Sequence, residues 1–358
     1  METTRSFQAC YLHAMTREVF MAAHTPHHIA ENVAEILVNA NLAGHDSHGV
    51  IRIPSYLQRI AEGGTTPAAE PIFLDESANT LRVDGGNGFG HHTARKAMER
   101  AIEKAKGADL CSVTLVRTGH IGRLGEYAEQ AARAGCIGIT TNGSGVKDGG
   151  NIVPFGGASG ALGTNPISVG VPTGDDAPFV IDFATSMIAG GKIMFAQSRG
   201  VDLPEGCIVD KDGNPSVKTA DFYDGGFLLP FGKHKGYAFS LLMCLLGGLS
   251  GNFDVGRGAM GGQFMLALNV NAFTPLEEYQ HGVRAFLDGI KSIPPAPGSD
   301  EVLVPGDYEH HSRIQRLTHG VDVPDTTYRQ IMGWAEKLDV SLGEEIVEPA
   351  DVERYQLK

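Results

Sequence analysis

Asp84-Gly85-Gly86-Asn87-Gly88-Phe89-Gly90 decides the fold, because it stands between a strand read at 79–84 and a helix read at 91–106. Strand, glycine-rich turn and helix in that order are what a Rossmann dinucleotide site requires. The spacing does not comply. Gly86-x-Gly88-x-Gly90 lacks the x-x-Gly ending that seats a pyrophosphate on the helix N-terminus. The stretch is therefore read as a structural turn, and the fold class as α/β without a Rossmann fingerprint.

Downstream, an apolar strand at 111–116, a helix at 124–134 and a strand at 137–142 give a β-α-β order that suggests an α/β subdomain over 73–142. From 143 to 320 glycine and proline become frequent. Short strands are read at 167–171, 179–183 and 264–270, helices at 184–197, 235–249 and 284–290, and a loop at 294–298. Upstream, 5–24 reads as a first helix, after which Thr25 is a candidate cap and Pro26 the first residue of a second. Ile29, Val33, Ile36, Leu37 and Ala40 recur at spacings of three and four, so one face of that helix meets a core. A short helix is read at 54–60, and a last one at 326–338 with Asp325 as its cap. The expected organisation is a helical subdomain at 1–72 joined by 321–358, the α/β subdomain at 73–142, and a larger domain at 143–320.

The chain has 358 residues, enough for a large core, and a net charge of −13 with no long basic run. Nucleic acid and anionic membrane surfaces are poor partners for it. The longest apolar run, 237–249, falls short of the roughly 20 residues that span a bilayer and reads as a buried helix. Five scattered cysteines form no Cys-x-x-Cys, which argues against a disulfide framework and for a reducing cytoplasm. No signal-peptide order opens the chain.

The densest chemistry is Gly44-His45-Asp46-Ser47-His48-Gly49-Val50-Ile51-Arg52. A histidine near neutral pKa moves a proton either way, and an arginine four residues on is a fork for a carboxylate. Ser47 beside His48 can hold a substrate oxygen or orient the imidazole. Together they suit a 2-hydroxy or 2-oxo acid; the alternative is a capped turn whose histidine serves the backbone. Thr118-Gly119-His120-Ile121-Gly122 follows a strand, where α/β sheets place ligand sites. Pro154-Phe155-Gly156-Gly157 and Leu162-Gly163-Thr164-Asn165-Pro166 are glycine-rich loops whose amides are free to approach a ligand. Asp182-Phe183-Ala184-Thr185-Ser186 is expected at a strand-to-helix transition, as an anion seat or as a plain cap. Pro230-Phe231-Gly232-Lys233-His234-Lys235-Gly236 offers basic side chains for phosphate oxygens, Lys235 first. The pairs His27-His28, His91-His92 and His310-His311 point their rings about 100° apart on a helix, and no His-Glu-x-x-His occurs, so no metal is expected. A Gly-x-Ser-x-Gly elbow is missing too.

In one order, the 44–52 loop with Tyr56, Gly119-His120-Ile121-Gly122, Leu162-Gly163-Thr164-Asn165-Pro166, Asp182-Phe183-Ala184-Thr185-Ser186 and His234-Lys235-Gly236-Tyr237 resemble the malate/L-lactate dehydrogenase family. That family is distinct from the Rossmann-type enzymes, and it includes malate, sulfolactate and ureidoglycolate dehydrogenases, diketogulonate reductase and cyclic imino-acid reductases. The resemblance covers nearly the whole chain. It implies a nicotinamide cofactor, NAD or NADP, in a non-Rossmann domain with a mixed sheet, and a homodimer. It implies His48 as proton donor or acceptor with Ser47 beside it, and His120 as rival for that role and neighbour of the cofactor. Asp182 joins this catalytic set. Arg52, Tyr56 and Thr164 would meet the substrate. Ser144, Asp182, Phe183, Ala184, Thr185, Ser186, His234 and Lys235 would meet the cofactor, with Pro305-Gly306-Asp307 as a late contacting turn. The chain departs from the family in putting Lys233 where a second glycine is common, and Met243-Cys244 where Val-Glu is common. The lack of an arginine cluster favours NAD. A cyclic imino-acid reductase is the alternative within the family, and a non-catalytic metabolite-binding module the alternative outside it.

Overall fold

A computed structural model describes residues 3–145, 150–175 and 177–356. The chain opens with β1 (Thr4–Phe7) and helices α1 (Ala9–Ala22), α2 (His27–Leu42) and α3 (Ile53–Ala61). All five periodic residues of α2 are buried, as their spacing requires. Each large one stabilises the fold by about 1.5–3 kcal/mol. Residues 4–7 are not helical. They pair antiparallel with 321–324, a partner some three hundred positions away that local periodicity cannot reveal. Thr25 does not cap α2 either. Pro26 occupies the cap position, and the Thr25 hydroxyl is buried without a partner.

Next come β2 (Ile72–Glu76), β3 (Thr80–Asp84), α4 (Gly90–Ala108), β4 (Leu110–Val116), α5 (Gly125–Arg133), β5 (Cys136–Gly145), β6 (Ile167–Val171) and β7 (Phe179–Phe183). β3 and β4 are parallel neighbours bridged by α4, so the turn at 84–90 does sit in a β-α-β unit. The rest of the sheet is antiparallel, which makes it mixed.

The third stretch holds α6 (Gly190–Arg199), the short β8 (Ile208–Val209), β9 (Pro215–Ser216), α7 (Thr219–Tyr223) and β10 (Phe227–Leu228), and then α8 (His234–Gly248). After them come β11 (Phe253–Asp254), β12 (Ala259–Asn269), α9 (Leu276–Lys291), α10 (Asp307–His319), β13 (Val321–Pro324), α11 (Asp325–Lys337) and α12 (Pro349–Arg354). β12 inserts between β4 and β5, giving the order β2-β3-β4-β12-β5-β6-β7, so one sheet runs across position 142.

Three expectations need correction here. The helix read at 184–197 begins only at Gly190. Residues 185–187 instead pair with 229–231: Phe231 N donates to Thr185 O at 3.0 Å and Met187 N to Leu229 O at 2.7 Å. The apolar helix α8 is not buried all round, because Phe239, Leu241, Leu242, Leu245 and Leu249 face outward. Asp325 is the first residue of α11 rather than its cap, and its carboxylate pairs with Arg5 and Arg329.

Two hydrophobic cores hold the elements that carry the histidines. One joins α1, α2 and α3 to Val321, Val323, Ile331 and Leu342 near the C-terminus. The other covers β3 and β4 with α4 and α5, through Val83, Met98, Val113 and Tyr127.

Candidate active site

The turn at 84–90 is a spacer that lets two loops touch. A Cβ on Gly90 would lie 2.3 Å from Gly119 O, and one on Gly119 would lie 2.9 Å from Gly88 O. Side chains at either position would therefore force the turns after β3 and β4 apart. Asn87 N donates to Arg117 O at 2.6 Å and Gly119 N to Gly88 O at 3.2 Å, stitching them together. The result sets His91, the second residue of α4, against His120, with ring centroids 5.9 Å apart. Both lie at the carboxyl ends of the two parallel strands, the usual side for ligands in such sheets.

His48 stacks on the other side of His120 at 5.7 Å and 21°. Tyr56 from α3 completes the group: its hydroxyl is 2.6 Å from His120 Nδ1 and 3.5 Å from His91 Nε2. Burial raises the Tyr56 phenol well above its ordinary range, so it stays protonated, and the direction of its bond to His120 Nδ1 follows the tautomer of that ring. His48 is lowered to about 3 by burial first, then by His120 and Arg52. His120 is lowered to about 4, again by burial first and then by Arg52 and Arg59. His120 has exposed surface, yet protein surrounds most of its ring, and that crowding governs its pKa.

Ser47 holds two neighbours at once. Its Oγ is 3.0 Å from His48 Nδ1, and its carbonyl accepts from Arg52 Nε at 2.7 Å. The terminal nitrogens of Arg52 have no protein partner among the described residues, so they are free for a carboxylate.

Several residues that build this loop carry no mark in the sequence. Asn41 at the end of α2 donates to Asp46 Oδ1 at 2.6 Å and accepts from Val50 N at 2.9 Å. Gly49 is required beside it, since a Cβ there would come within 2.2 Å of Asn41 Oδ1. Arg316 from α10 grips both oxygens of Asp46, at 2.5 and 2.9 Å, and Glu309 meets His45 at 3.2 Å. His45 and Asp46 thus shape the loop. His91, in sequence only half of an adjacent pair, joins the site through packing. The one signal available was a polar Asn41 at a buried helical position.

Of the expected cofactor residues, one set converges. Asn165 Oδ1 accepts from Ser144 N at 2.8 Å, and the Asn165 amide nitrogen reaches Ser240 Oγ of α8 at 2.8 Å. Thr185 donates to Thr164 O through both its N–H and its hydroxyl, at 2.8 and 2.9 Å. Phe183 packs edge-on to Phe231 at 5.6 Å, and Phe155 to His234 at 5.9 Å. The loops at 154–157, 162–166, 182–187 and 230–235 therefore form one wall, with Ser144, Ala184, His234 and Lys235 in it. Ser186 Oγ is buried there with no protein partner, so the wall keeps a hydroxyl in reserve beside the lysine-bearing turn. Hydroxyls, free amides and lysines suit a dinucleotide's phosphates. Lys233 enters α8 at φ 59°, ψ −118°, a conformation at ease only for glycine, which is why glycine is common there in the family the motifs resemble.

Two expected members stand apart. Asp182 caps α5, accepting from Gly125 N at 2.8 Å, and its carboxylate faces Arg123 at 3.4 Å. No helix starts at 182–186, so the anion seat expected from a helix N-terminus is absent there. Pro305-Gly306-Asp307 docks at the opposite end of β7: Val180 N donates to Pro305 O at 3.3 Å, and Asp307, the first residue of α10, accepts from Val304 N at 3.0 Å. A five-residue strand, roughly 13 Å, separates that turn from the wall within one chain.

A cavity of about 990 Å³ lies elsewhere, among Glu35, Glu126, Arg133, Arg313 and Arg354. Proton donors and a carboxylate fork meet at the histidines, whereas the cavity is lined by acids and arginines that largely take part in ion pairs.

Residues 7–332 match the family model for malate/L-lactate dehydrogenase. The chain is 34% identical to L-sulfolactate dehydrogenase of Methanocaldococcus jannaschii over 88% of its own length and 92% of that protein. Malate dehydrogenase from Entamoeba histolytica superposes with a TM-score of 0.87 at 26% identity, covering 95% of this chain and 99% of that one. Delta1-piperideine-2-carboxylate reductase from Pseudomonas syringae superposes with a TM-score of 0.78 at 30% identity, covering 93% and 100%. A match over nine-tenths of the chain, carried by both sequence and structure, leaves one conclusion: the chain belongs to the malate/L-lactate dehydrogenase family.

Proposed function

We propose that the chain is a nicotinamide-dependent oxidoreductase that transfers a hydride reversibly between the cofactor and C2 of a small 2-hydroxy or 2-oxo acid. The observation that carries this reading is the free fork of Arg52 beside two depressed histidines. The nicotinamide supplies the hydride acceptor and donor at its C4. The chain's own residues do the rest. Arg52 holds the substrate carboxylate so that C2 and its oxygen face the histidines, which is a proximity contribution.

His120 exchanges the hydroxyl proton through Nε2. Its Nδ1 is engaged by Tyr56 at 2.6 Å, which holds the ring with Nε2 toward the substrate. In the oxidative direction Nδ1 carries the ring proton and donates to Tyr56 Oη, whose own hydroxyl donates to His91 Nε2. Free Nε2 then takes the substrate hydroxyl proton and the ring becomes imidazolium, and in reduction the imidazolium returns that proton to the new alkoxide. His48 keeps the ring plane of His120 and is the second candidate for the same proton. The wall at 154–166, 182–187 and 230–235 holds the cofactor, with Ser144, Ser186, His234 and Lys235 toward its phosphates. No arginine lies in those loops, which favours NAD over NADP.

A panel of 2-oxo acids and cyclic imines, each with NADH and with NADPH, tests the reading by loss of reduced-nicotinamide absorbance. Turnover of a 2-oxo acid is expected. Turnover of imines alone would make the chain an imino-acid reductase, the second reading, which the piperideine-2-carboxylate reductase likeness favours. No redox turnover at all would leave a binding module.

We also propose a homodimer built on α8. Phe239, Leu241, Leu242, Leu245 and Leu249 form an outward apolar face that water disfavours, and the face adjoins the cofactor wall through Ser240. Leu245→Glu is expected to give a monomer by light scattering and to weaken cofactor binding; an unchanged mass would remove α8 from the interface. All five cysteines are unpaired, which suits a reducing cytoplasm, and among the described residues no helix is long and apolar enough to cross a membrane.

A further inference from the structure

The fold takes one histidine from each of two adjacent pairs and sets them around one carboxylate. His28 lies in the first turn of α2, His92 in the first turns of α4, and Glu70 in the segment joining α3 to β2. Glu70 Oε1 contacts His28 Nε2, and Glu70 Oε2 lies 2.9 Å from His92 Nε2. The two rings meet edge to face at 5.7 Å. All three donor atoms fall within 4.8 Å of one another. The other trio of this kind among the described residues, His13, Glu31 and Asp351, already has Arg17 and Arg354 among its carboxylates. Glu70 has no lysine or arginine partner among the described residues, only the two imidazoles.

We propose that His28 Nε2, the Glu70 carboxylate and His92 Nε2 bind a divalent transition metal, Zn²⁺ by preference, with a water completing the shell. Two imidazoles and a carboxylate are a zinc-type donor set, too rich in nitrogen for Mg²⁺ or Ca²⁺. An outer shell is present as well. Asn32, one turn along α2 from His28, places its side-chain amide 2.8 Å from His92 Nδ1, so the buried ring is held with Nε2 aimed at Glu70. Metal-bound histidines are commonly fixed in this way through their second nitrogen. Ligation through Nε2 leaves the proton on Nδ1, and the Asn32 amide then presents its oxygen. Arg95, which also touches that amide at 3.2 Å, keeps Glu35 and Glu126 in either case. His92 is 1% exposed, whereas His28 and Glu70 are 60% and 52% exposed, so the site has a rigid floor and an open entrance.

The ion would staple α2, α4 and the 62–71 segment. That segment leaves α3, the helix of Tyr56, and His92 adjoins His91, which touches Tyr56. The role is therefore to hold the back of the proton relay, independent of which substrate the enzyme takes.

Calorimetric titration of chelator-treated full-length protein with ZnCl₂ tests the site. One Zn²⁺ per chain is expected, with a rise in melting temperature. His28→Ala and Glu70→Gln, both at the surface, should each weaken binding at least about tenfold and abolish that rise. Asn32→Ala should weaken it by about 10–100-fold. Substitution with Co²⁺ should give the visible absorption of a four- or five-coordinate ion without a thiolate charge-transfer band. No binding, wild-type affinity in His28→Ala and Glu70→Gln, or a thiolate band would each overturn the assignment.

Discussion

Replacing His120 with asparagine lowers kcat in both directions by about 10²–10⁴-fold, the usual weight of a positioned general acid–base. Cofactor affinity is expected to stay within about threefold, since the wall at 162–166, 182–187 and 230–235 is untouched. The expectation rests on Tyr56. Its protonated hydroxyl lies 2.6 Å from His120 Nδ1 and holds the ring so that Nε2 meets the substrate oxygen. His48 has only the Ser47 hydroxyl at 3.0 Å for the same purpose. Tyr56→Phe should therefore reproduce part of the loss, and His48→Asn a smaller part. Full turnover in His120→Asn with collapse in His48→Asn would move the proton to His48.

The pH profile carries the sign of the same assignment. His120 lies near 4 and His48 near 3, both below the ordinary imidazole value of about 6.5. Both rings are thus neutral, the base form, from pH 8 down past pH 5. Oxidative kcat/KM should hold through that range and fall only toward pH 4. Stability moves the other way from a salt-bridged histidine. The unfolded chain takes protons first as pH drops below about 6.5, so the contribution of these rings is intact above that value and is lost toward pH 4.

How much of this was legible in the sequence depends on how far apart the partners lie. The 44–52 loop and His120 are visible because their chemistry is concentrated in a few residues. Helix α2 and β7 are visible because their patterns are local and periodic. His91 is not, because only the packing of Gly88 and Gly90 on Gly119 brings the two turns together. β1 needs a partner at 321–324, and the grip of Arg316 on Asp46 spans 270 positions. α10 buries no residue fully, so it offers no apolar stripe to read. The helix expected at 184–197 fails because 185–187 satisfy their backbone against 229–231, an exchange that helix propensity cannot anticipate. Asp182 is hidden for the same reason: its carboxylate caps a helix remote in sequence.

Arg52→Met is expected to cost about 10²–10³-fold in kcat/KM, chiefly as raised KM. With Nε spent on Ser47 O at 2.7 Å, Arg52 offers its two terminal nitrogens end-on. Charge-assisted hydrogen bonds contribute about 1.5–3 kcal/mol each, and partial exposure puts this pair at the lower end. Arg52→Lys keeps the charge but not the fork, so it should recover only part of the loss. The two variants then separate geometry from charge. Arg52 follows burial among the causes that lower His120, and follows burial and His120 among those that lower His48. Removing the cation in Arg52→Met should therefore raise both histidines and move the acid limb of kcat/KM upward, whereas Arg52→Lys should leave it in place. A bound carboxylate neutralises Arg52 in the same sense. Binding of a substrate-like acid should thus make the wild-type enzyme take up a fraction of a proton near pH 5, and Arg52→Met should not. Calorimetry with oxamate in buffers of different ionisation enthalpy measures that uptake directly. An unchanged KM in Arg52→Met would place the carboxylate elsewhere. A lowered affinity with no movement of the limb and no proton uptake would leave Arg52 as a clamp alone, and the histidines tuned by burial.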